Sequence, residues 1–386
     1  MRACCSAARP LSFAADVSLG GDGQQGIPQL GQHHTQKVQL LLRQLTGQGI
    51  GEGSDGRSQL ARIHGIISHI ILCAVGEMCG NPALTFANNR SIINTGGEGM
   101  HYVTAKGILS AGNGMNLYRG CQHGCIYCDA RSRCYQMDHP FEDIEVKENA
   151  LTLLEDALKR KRRPCMIGTG AMSDPYIPLE SQLQMTRKAL GLIEKHGFGV
   201  AIQTKSHRIL RDLDLLESIN SRAKTVVQMT LTTCDEDLCR ILEPNVSTTA
   251  ERVAALKGFR DAGIPTVVWM CPILPFLNDT PENIRGIVES CADAGVKGII
   301  HFGIGLTLRE GNREYFYAQL DRHFPGLKEH YIRTYGNAYV LSSPRERELQ
   351  KCFDDGCEKY GIWHDNDQIF RYMAEFPEKH DQMRFF

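Results

Sequence analysis

Three cysteines, Cys121, Cys125 and Cys128, lie in a C-x3-C-x2-C run within Asn116-Leu-Tyr-Arg-Gly-Cys121-Gln-His-Gly-Cys125-Ile-Tyr-Cys128-Asp129. Gly120 and Gly124 are interleaved with them, and a loop that turns so tightly lets three thiolates converge on one side. Iron–sulfur clusters normally take four thiolates. Three neighbours therefore imply a cubane with one iron left open, as at a catalytic metal that keeps a coordination position for its substrate. The rival reading is a structural zinc knuckle built from Cys121, Cys125, Cys128 and either Cys134 or His123. Zinc pairs normally recur after a gap of a dozen or more residues, and no second close pair with that look follows.

The elements that must hold this loop are short apolar strands alternating with longer amphipathic segments, the pattern of a parallel sheet covered by helices. Six strands are expected, at Met115 to Tyr118, Cys165 to Thr169, Gly199 to Thr204, Thr225 to Thr230, Thr266 to Cys271 and Gly298 to Gly303. Helices fill the gaps, at about Glu148 to Lys161, Leu183 to Lys195, His207 to Ile219, Thr248 to Ala262, Pro281 to Ala294 and Arg309 to Phe324. Thr280 before Pro281 reads as an N-cap followed by a first-turn proline; Gly197, Gly263 and Gly295 fall where helices should stop. Six βα units predict an open, partial (β/α)6 barrel of the TIM type, whose chemistry belongs at the C-terminal mouth of its strands. The cysteine loop follows the first strand directly.

Residues 1–99 are rich in Gly, Gln, Ser and His without sustained periodicity, and read as a poorly ordered extension or a mis-assigned start, with helical pattern only at Gln36 to Leu45 and Gln59 to Val75. The barrel spans residues 100–324. Residues 325–386, with a helix expected from Pro344 to Tyr360, read as a C-terminal helical cap over the barrel or its open edge. Fifteen cysteines in 386 residues, without a secretory apolar segment at the N-terminus, fit a reducing cytoplasm better than a disulfide scaffold. The most apolar run, Ile66 to Val75, is broken by Ser68 and His69 and is too short for a bilayer. A formal net charge of −1 gives no global basic footprint. Lys159-Arg160-Lys161-Arg162-Arg163 is the one dense basic run, read as a solvated helix end, with a phosphate-contacting patch as the alternative.

The cysteine run, with Tyr127 just before its last cysteine, resembles the radical S-adenosylmethionine (SAM) superfamily. Gly168-Thr169-Gly170-Ala171-Met172-Ser173-Asp174-Pro175-Tyr176, Thr204-Lys205-Ser206, Arg211-Asp212, Leu215-Leu216 and Glu243-Pro244 resemble its spore photoproduct lyase-like branch, over about residues 100–324. The resemblance implies a [4Fe–4S] cluster on Cys121, Cys125 and Cys128, with SAM chelated to the free iron. It implies SAM contacts from Tyr127, Gly168, Thr169, Gly170, Ser173, Lys205 and Thr230: glycine carbonyls for the ammonium group, Ser173 and Lys205 for the carboxylate, Thr230 for the same moiety or the ribose, and Tyr127, Ile273 and Gly303-Ile304-Gly305 about the adenine. The activity implied is formation of a 5′-deoxyadenosyl radical that abstracts hydrogen from a substrate, as in a lyase-like, DNA-repair-like enzyme, with an external reductant such as flavodoxin or ferredoxin. Nucleic acid is one candidate substrate. Where the lyase carries a hydrogen-donating cysteine, this chain has Ala171; Cys134 is the substitute donor to consider. A zinc-binding nucleic-acid module, or an iron–sulfur sensor without SAM chemistry, are the alternatives from other classes.

Overall fold

The computed structural model describes residues 92–95 and 98–377; the remaining part of the expectation for residues 1–99, including both short helices, lies outside the described residues. In chain order the strands are β1 (Ile92–Thr95), β2 (Glu98–Val103), β3 (Gly114–Met115), β4 (Tyr118–Arg119), β5 (Ile144–Lys147), β6 (Met166–Thr169), β7 (Gly199–Thr204), β8 (Thr225–Thr230), β9 (Thr266–Trp269), β10 (Gly298–Ile300), β11 (Gly305–Thr307) and β12 (Val340–Ser342). The helices are α1 (Ala150–Arg160), α2 (Glu180–Leu183), α3 (Met185–Lys195), α4 (Leu213–Arg222), α5 (Glu236–Leu242), α6 (Thr249–Asp261), α7 (Pro281–Asp293), α8 (Asn312–His323), α9 (Leu327–Tyr335), α10 (Glu346–Tyr360) and α11 (Asn366–Ala374).

Six strands form one sheet in the order β3-β6-β7-β8-β9-β10, every pair parallel. Strand order follows chain order, so each crossover helix returns on the same side and the sheet curls into the expected partial barrel. Alternate residues face opposite ways along a strand. Val200 and Ile202 of β7, Val227 and Met229 of β8 and Val268 of β9 lie in one core with Leu190, Leu216, Leu256 and Ile287 of the helices. The intervening residues Ala201, Val226 and Val267 lie in a second core with Ile369 and Met373 of α11. Both faces are therefore apolar, as a parallel sheet requires.

Helix ends follow the chemistry of their first turns. Thr248 and Glu251 form a reciprocal capping box at the start of α6, and Thr280 accepts from the Asn283 N–H above Pro281 at the start of α7; each such cap is worth about 1 kcal/mol.

Two expectations need correction. The first strand, expected from Met115 to Tyr118, is split: Gly114 and Met115 pair with β6, whereas Tyr118 and Arg119 pair antiparallel with β5. That second pairing belongs to a separate sheet, β1-β2-β5-β4, in which β4 is only two residues long and carries no period to read. The helix expected from His207 begins as a 3-10 turn, His207–Asp212, capped by the Ser206 hydroxyl, and becomes α-helical only at Leu213. The residues after Phe324 serve three places: α10 packs on α7, β12 pairs with β11, and α11 fills the concave side of the sheet beneath Trp269 and Ile300.

Candidate active site

The cysteine loop leaves β4 and ends in a 3-10 turn at Asp129–Arg131. Gly120 has φ +87°, and a Cβ there would lie 2.6 Å from the Phe141 carbonyl, the oxygen that accepts the Cys121 N–H at 3.1 Å. Only glycine allows that approach. The Ser173 hydroxyl, after β6, donates to the Gly120 carbonyl at 2.7 Å. From the far side, the Ile126 N–H donates to the Leu242 carbonyl at 2.9 Å, and the Asn245 side chain donates to the Gln122 carbonyl at 2.9 Å. The loop is thus held from three elements that are remote in sequence.

Cys121 and Cys125 are buried and Cys128 half-buried. Burial pushes the Cys121 thiol up to about 12, and also raises Cys125 and Cys128. Thiolates are the ligating form, and buried neighbouring thiols resist ionising unless a cation compensates them. The donor set therefore fits a metal cluster.

Lys205 follows β7 in register with the inward residues Ala201 and Gln203, at the rim where β8 brings Thr230 and the chain after β9 brings Cys271. Burial acts against its charge, but Cys125, Glu243, Asp174 and Cys128 around it outweigh that and hold its ammonium above the ordinary lysine range. Cys271 lies close enough to feel the Lys205 charge, and burial lifts its thiol to about 12. Thr230 is buried, and its carbonyl accepts Arg252 Nη1 at 2.8 Å. Gly170 has φ +98°, and a Cβ there would stand 2.0 Å from the Gln203 carbonyl; Gly168 pairs with Gly114, and Thr169 is buried.

Other sequence-stated residues fall as follows. Tyr127 is buried, and its hydroxyl donates to Glu243, so the phenol end is already engaged. Ile273 and Ile304 are fully buried in the main core. Cys134 is exposed, and its sulfur accepts from Arg309 Nη1 at 3.4 Å, which sets it apart from the buried thiols.

Asp174 and Glu243 are junctions of the site. Asp174 accepts the Thr204 hydroxyl at 2.7 Å, the Lys205 N–H at 2.8 Å and the Tyr176 N–H at 2.8 Å, and its carboxylate lies 3.4 Å from His123 Nδ1. Glu243 joins Tyr127 to the fully buried Arg252. The available signal was Arg252 itself, which falls on the apolar stripe Thr249, Arg252, Ala255, Leu256 and Phe259 of α6: an arginine there demands a buried acid.

The family model described as the radical SAM superfamily matches residues 115–280. The chain belongs to the radical SAM superfamily. An uncharacterized protein of Mycobacterium tuberculosis is 32% identical over 243 residues, 61% of this chain and 70% of that one. An uncharacterized protein of Acidianus two-tailed virus is 27% identical over 254 residues, 62% of this chain and 80% of its own. The solved structure of spore photoproduct lyase complexed with dinucleoside spore photoproduct superposes with a TM-score of 0.52 at 14% identity, covering 69% of this chain and 81% of the lyase. At that identity the likeness is one of fold. Radical SAM proteins use a [4Fe–4S] cluster and SAM, and the Cys121, Cys125 and Cys128 loop is where this radical SAM chain offers a donor set of the matching kind.

Proposed function

We propose that this radical SAM protein holds a [4Fe–4S] cluster on Cys121, Cys125 and Cys128 and SAM beneath the barrel mouth, and abstracts a hydrogen atom from an organic substrate seated there. The observation that carries this reading is the position of Lys205, a half-buried cation on the inner rim that feels the charges of Cys125 and Cys128. When bound, the reduced cluster supplies the electron that splits SAM into methionine and a 5′-deoxyadenosyl radical.

The chain's own share is placement. Lys205 supplies a fixed positive charge for the SAM carboxylate, and burial strengthens that attraction by lowering the local dielectric. Ser173 holds the Gly120 turn while keeping oxygen lone pairs for a further partner. Carbonyls about Gly168, Thr169 and Gly170 offer acceptors for the SAM ammonium, and Thr230 a hydroxyl for the same moiety or the ribose. Tyr127, braced by Glu243, walls the cavity on the cysteine side.

The fold shared with spore photoproduct lyase favours lyase-type cleavage as the reaction class, with nucleic acid among the candidate substrates. With Ala171 in the loop after β6, hydrogen return to a substrate radical calls on another donor, and Cys134 is the thiol next in sequence to the cluster loop. The free thiols of the described residues suit a reducing cytoplasm and an external donor such as flavodoxin or ferredoxin; no helix among the described residues is long and apolar enough to cross a membrane.

The decisive test is anaerobic reconstitution followed by reduction with SAM present. Brown protein that releases 5′-deoxyadenosine, and a Cys125→Ala variant that is colourless and releases none, are expected. An intact cluster that yields no 5′-deoxyadenosine would return the chain to the class of iron–sulfur sensors.

A further inference from the structure

We propose that His101, His139 and Asp143, with Glu145 alongside, form a second metal site for a zinc-class divalent cation, separate from the cysteine loop and serving to brace it. His101 lies on β2 and pairs in register with Glu145 on β5; His139 and Asp143 come from the turn that leads into β5. One donor atom from each of His101, His139 and Asp143 lies within 4.8 Å of the others. His101 Nδ1 is 3.1 Å from Asp143 Oδ1, and His139 Nδ1 is 3.9 Å from Asp143 Oδ2. Bonds of about 2.0–2.2 Å to tetrahedral zinc place neighbouring ligands roughly 3.3–3.6 Å apart, so these spacings bracket what a cation would impose.

One cation already reaches this cluster, Arg119, whose Nη1 lies 3.5 Å from Glu145 Oε1, and the proposed ion would sit on its histidine side. His101 is only 3% exposed; its Nδ1 is the nitrogen that faces Asp143, and a cation held there would leave the ring proton on Nε2, which has no hydrogen-bond partner. His139 faces an acceptor with each ring nitrogen, the Pro140 carbonyl at 3.0 Å from Nδ1 and Glu145 Oε1 at 2.8 Å from Nε2. A neutral imidazole has one N–H, so one of those contacts sets lone pair against lone pair unless a second proton or a metal lies there. Finally, a Cβ on Gly99 would lie 2.9 Å from Asp143 Oδ1; glycine is what lets this carboxylate press against β2 beside His101.

Two imidazoles and carboxylates select zinc or a neighbouring first-row ion over calcium or magnesium. The side chain of Asp143 is 29% exposed, which gives the ion an entry path. The consequence reaches the cysteine loop, because the Asp143 N–H donates to the Pro140 carbonyl at 3.0 Å and the Phe141 carbonyl between them receives the Cys121 N–H. A cation tying His101 to this turn therefore stiffens the seat of Cys121.

The full chain, reconstituted anaerobically, equilibrated with stoichiometric zinc and desalted, should hold about one zinc beside its cluster iron. His101→Ala and His139→Gln should lose the zinc and keep the iron, whereas Cys125→Ala should lose the iron and keep the zinc, each with an unchanged far-ultraviolet circular dichroism spectrum. Asp143→Asn keeps the shape of the site should either histidine variant misfold, and should lower zinc affinity on the order of ten-fold or more. Wild-type protein that retains no zinc overturns the proposal. Zinc kept in the His101, His139 and Asp143 variants, or lost with Cys125→Ala, overturns it in favour of another binding place.

Discussion

Arg252 Nη2 and Glu243 Oε2 lie 2.5 Å apart with neither side chain exposed to solvent. Arg252 also donates through Nη1 to the Thr230 carbonyl, while Glu243 accepts the Tyr127 hydroxyl. One ion pair therefore ties the end of β8 to the residue between the second and third cluster cysteines. Replacing Arg252 by Leu strands a carboxylate in the core, and should cost about 3–5 kcal/mol of stability. Tyr127→Phe removes one hydrogen bond and should cost about 1–3 kcal/mol. Chemical denaturation measures both; an Arg252→Leu variant within about 1 kcal/mol of wild type, well short of the cost of a stranded buried charge, counts against a structural role for the pair.

Gly170 and Gly191 provide a matched contrast. A Cβ on Gly170 would meet the Gln203 carbonyl at 2.0 Å, from a left-handed backbone with φ +98°. Gly170→Ala must shift either the loop after β6 or β7, and a loss of about 2 kcal/mol or more is expected. Gly191 lies inside α3 with nothing within 4 Å of its would-be Cβ. Gly191→Ala should raise stability by about 0.5–1 kcal/mol through helix propensity. Thermal midpoints moving the same way in both variants contradict this reading of the two sites.

The barrel was legible because its strands and helices carry their own signals. β7 and β8 run Gly199–Thr204 and Thr225–Thr230 as expected from their apolar β-branched runs, and α7 begins at the expected Thr280 cap. What stayed hidden was set by distant pairing. β4 and β5 meet only because the chain leaves the barrel after Met115, and two-residue strands have no periodicity to read. The cysteine run was plain from its spacing; the junctions at Asp174 and Glu243 were not, since a turn acid and a buried hub look alike until the third dimension supplies the partners.

Under the proposed function, Lys205 should separate binding of the cluster from binding of SAM. Lys205→Met removes the inward cation without touching a cysteine, and should leave cluster iron intact while weakening SAM binding by roughly ten- to a hundred-fold, the worth of a charge-assisted contact. Arginine in its place retains charge but is too large and planar for a point-charge seat, so it should rescue only in part. Equilibrium binding of SAM to the reconstituted variants reads this directly. Loss of iron together with SAM affinity in Lys205→Met shifts its role from SAM contact to support of the thiolates.

His301 makes acid stability depend on the docking of the C-terminal helices. It follows β10, with its ring 4.4 Å from that of Phe353 on α10 and its carbonyl accepting from Asn366 on α11 at 2.7 Å. The Gly303 N–H donates to Nδ1 at 3.2 Å, which places the ring proton of the neutral form on Nε2. Burial lowers its pKa from the ordinary value of 6.5 to about 4. The unfolded chain therefore takes up the proton first as pH falls, and stability declines between about pH 6.5 and pH 4 by up to about 3 kcal/mol from this group. Above that window both states are neutral and the group contributes no slope. His301→Gln, which keeps an acceptor for Gly303, should flatten this part of the curve. The comparison is urea unfolding of the two proteins at several pH values: their stability difference should shift toward the variant on acidification, and parallel curves would rule out a depressed His301.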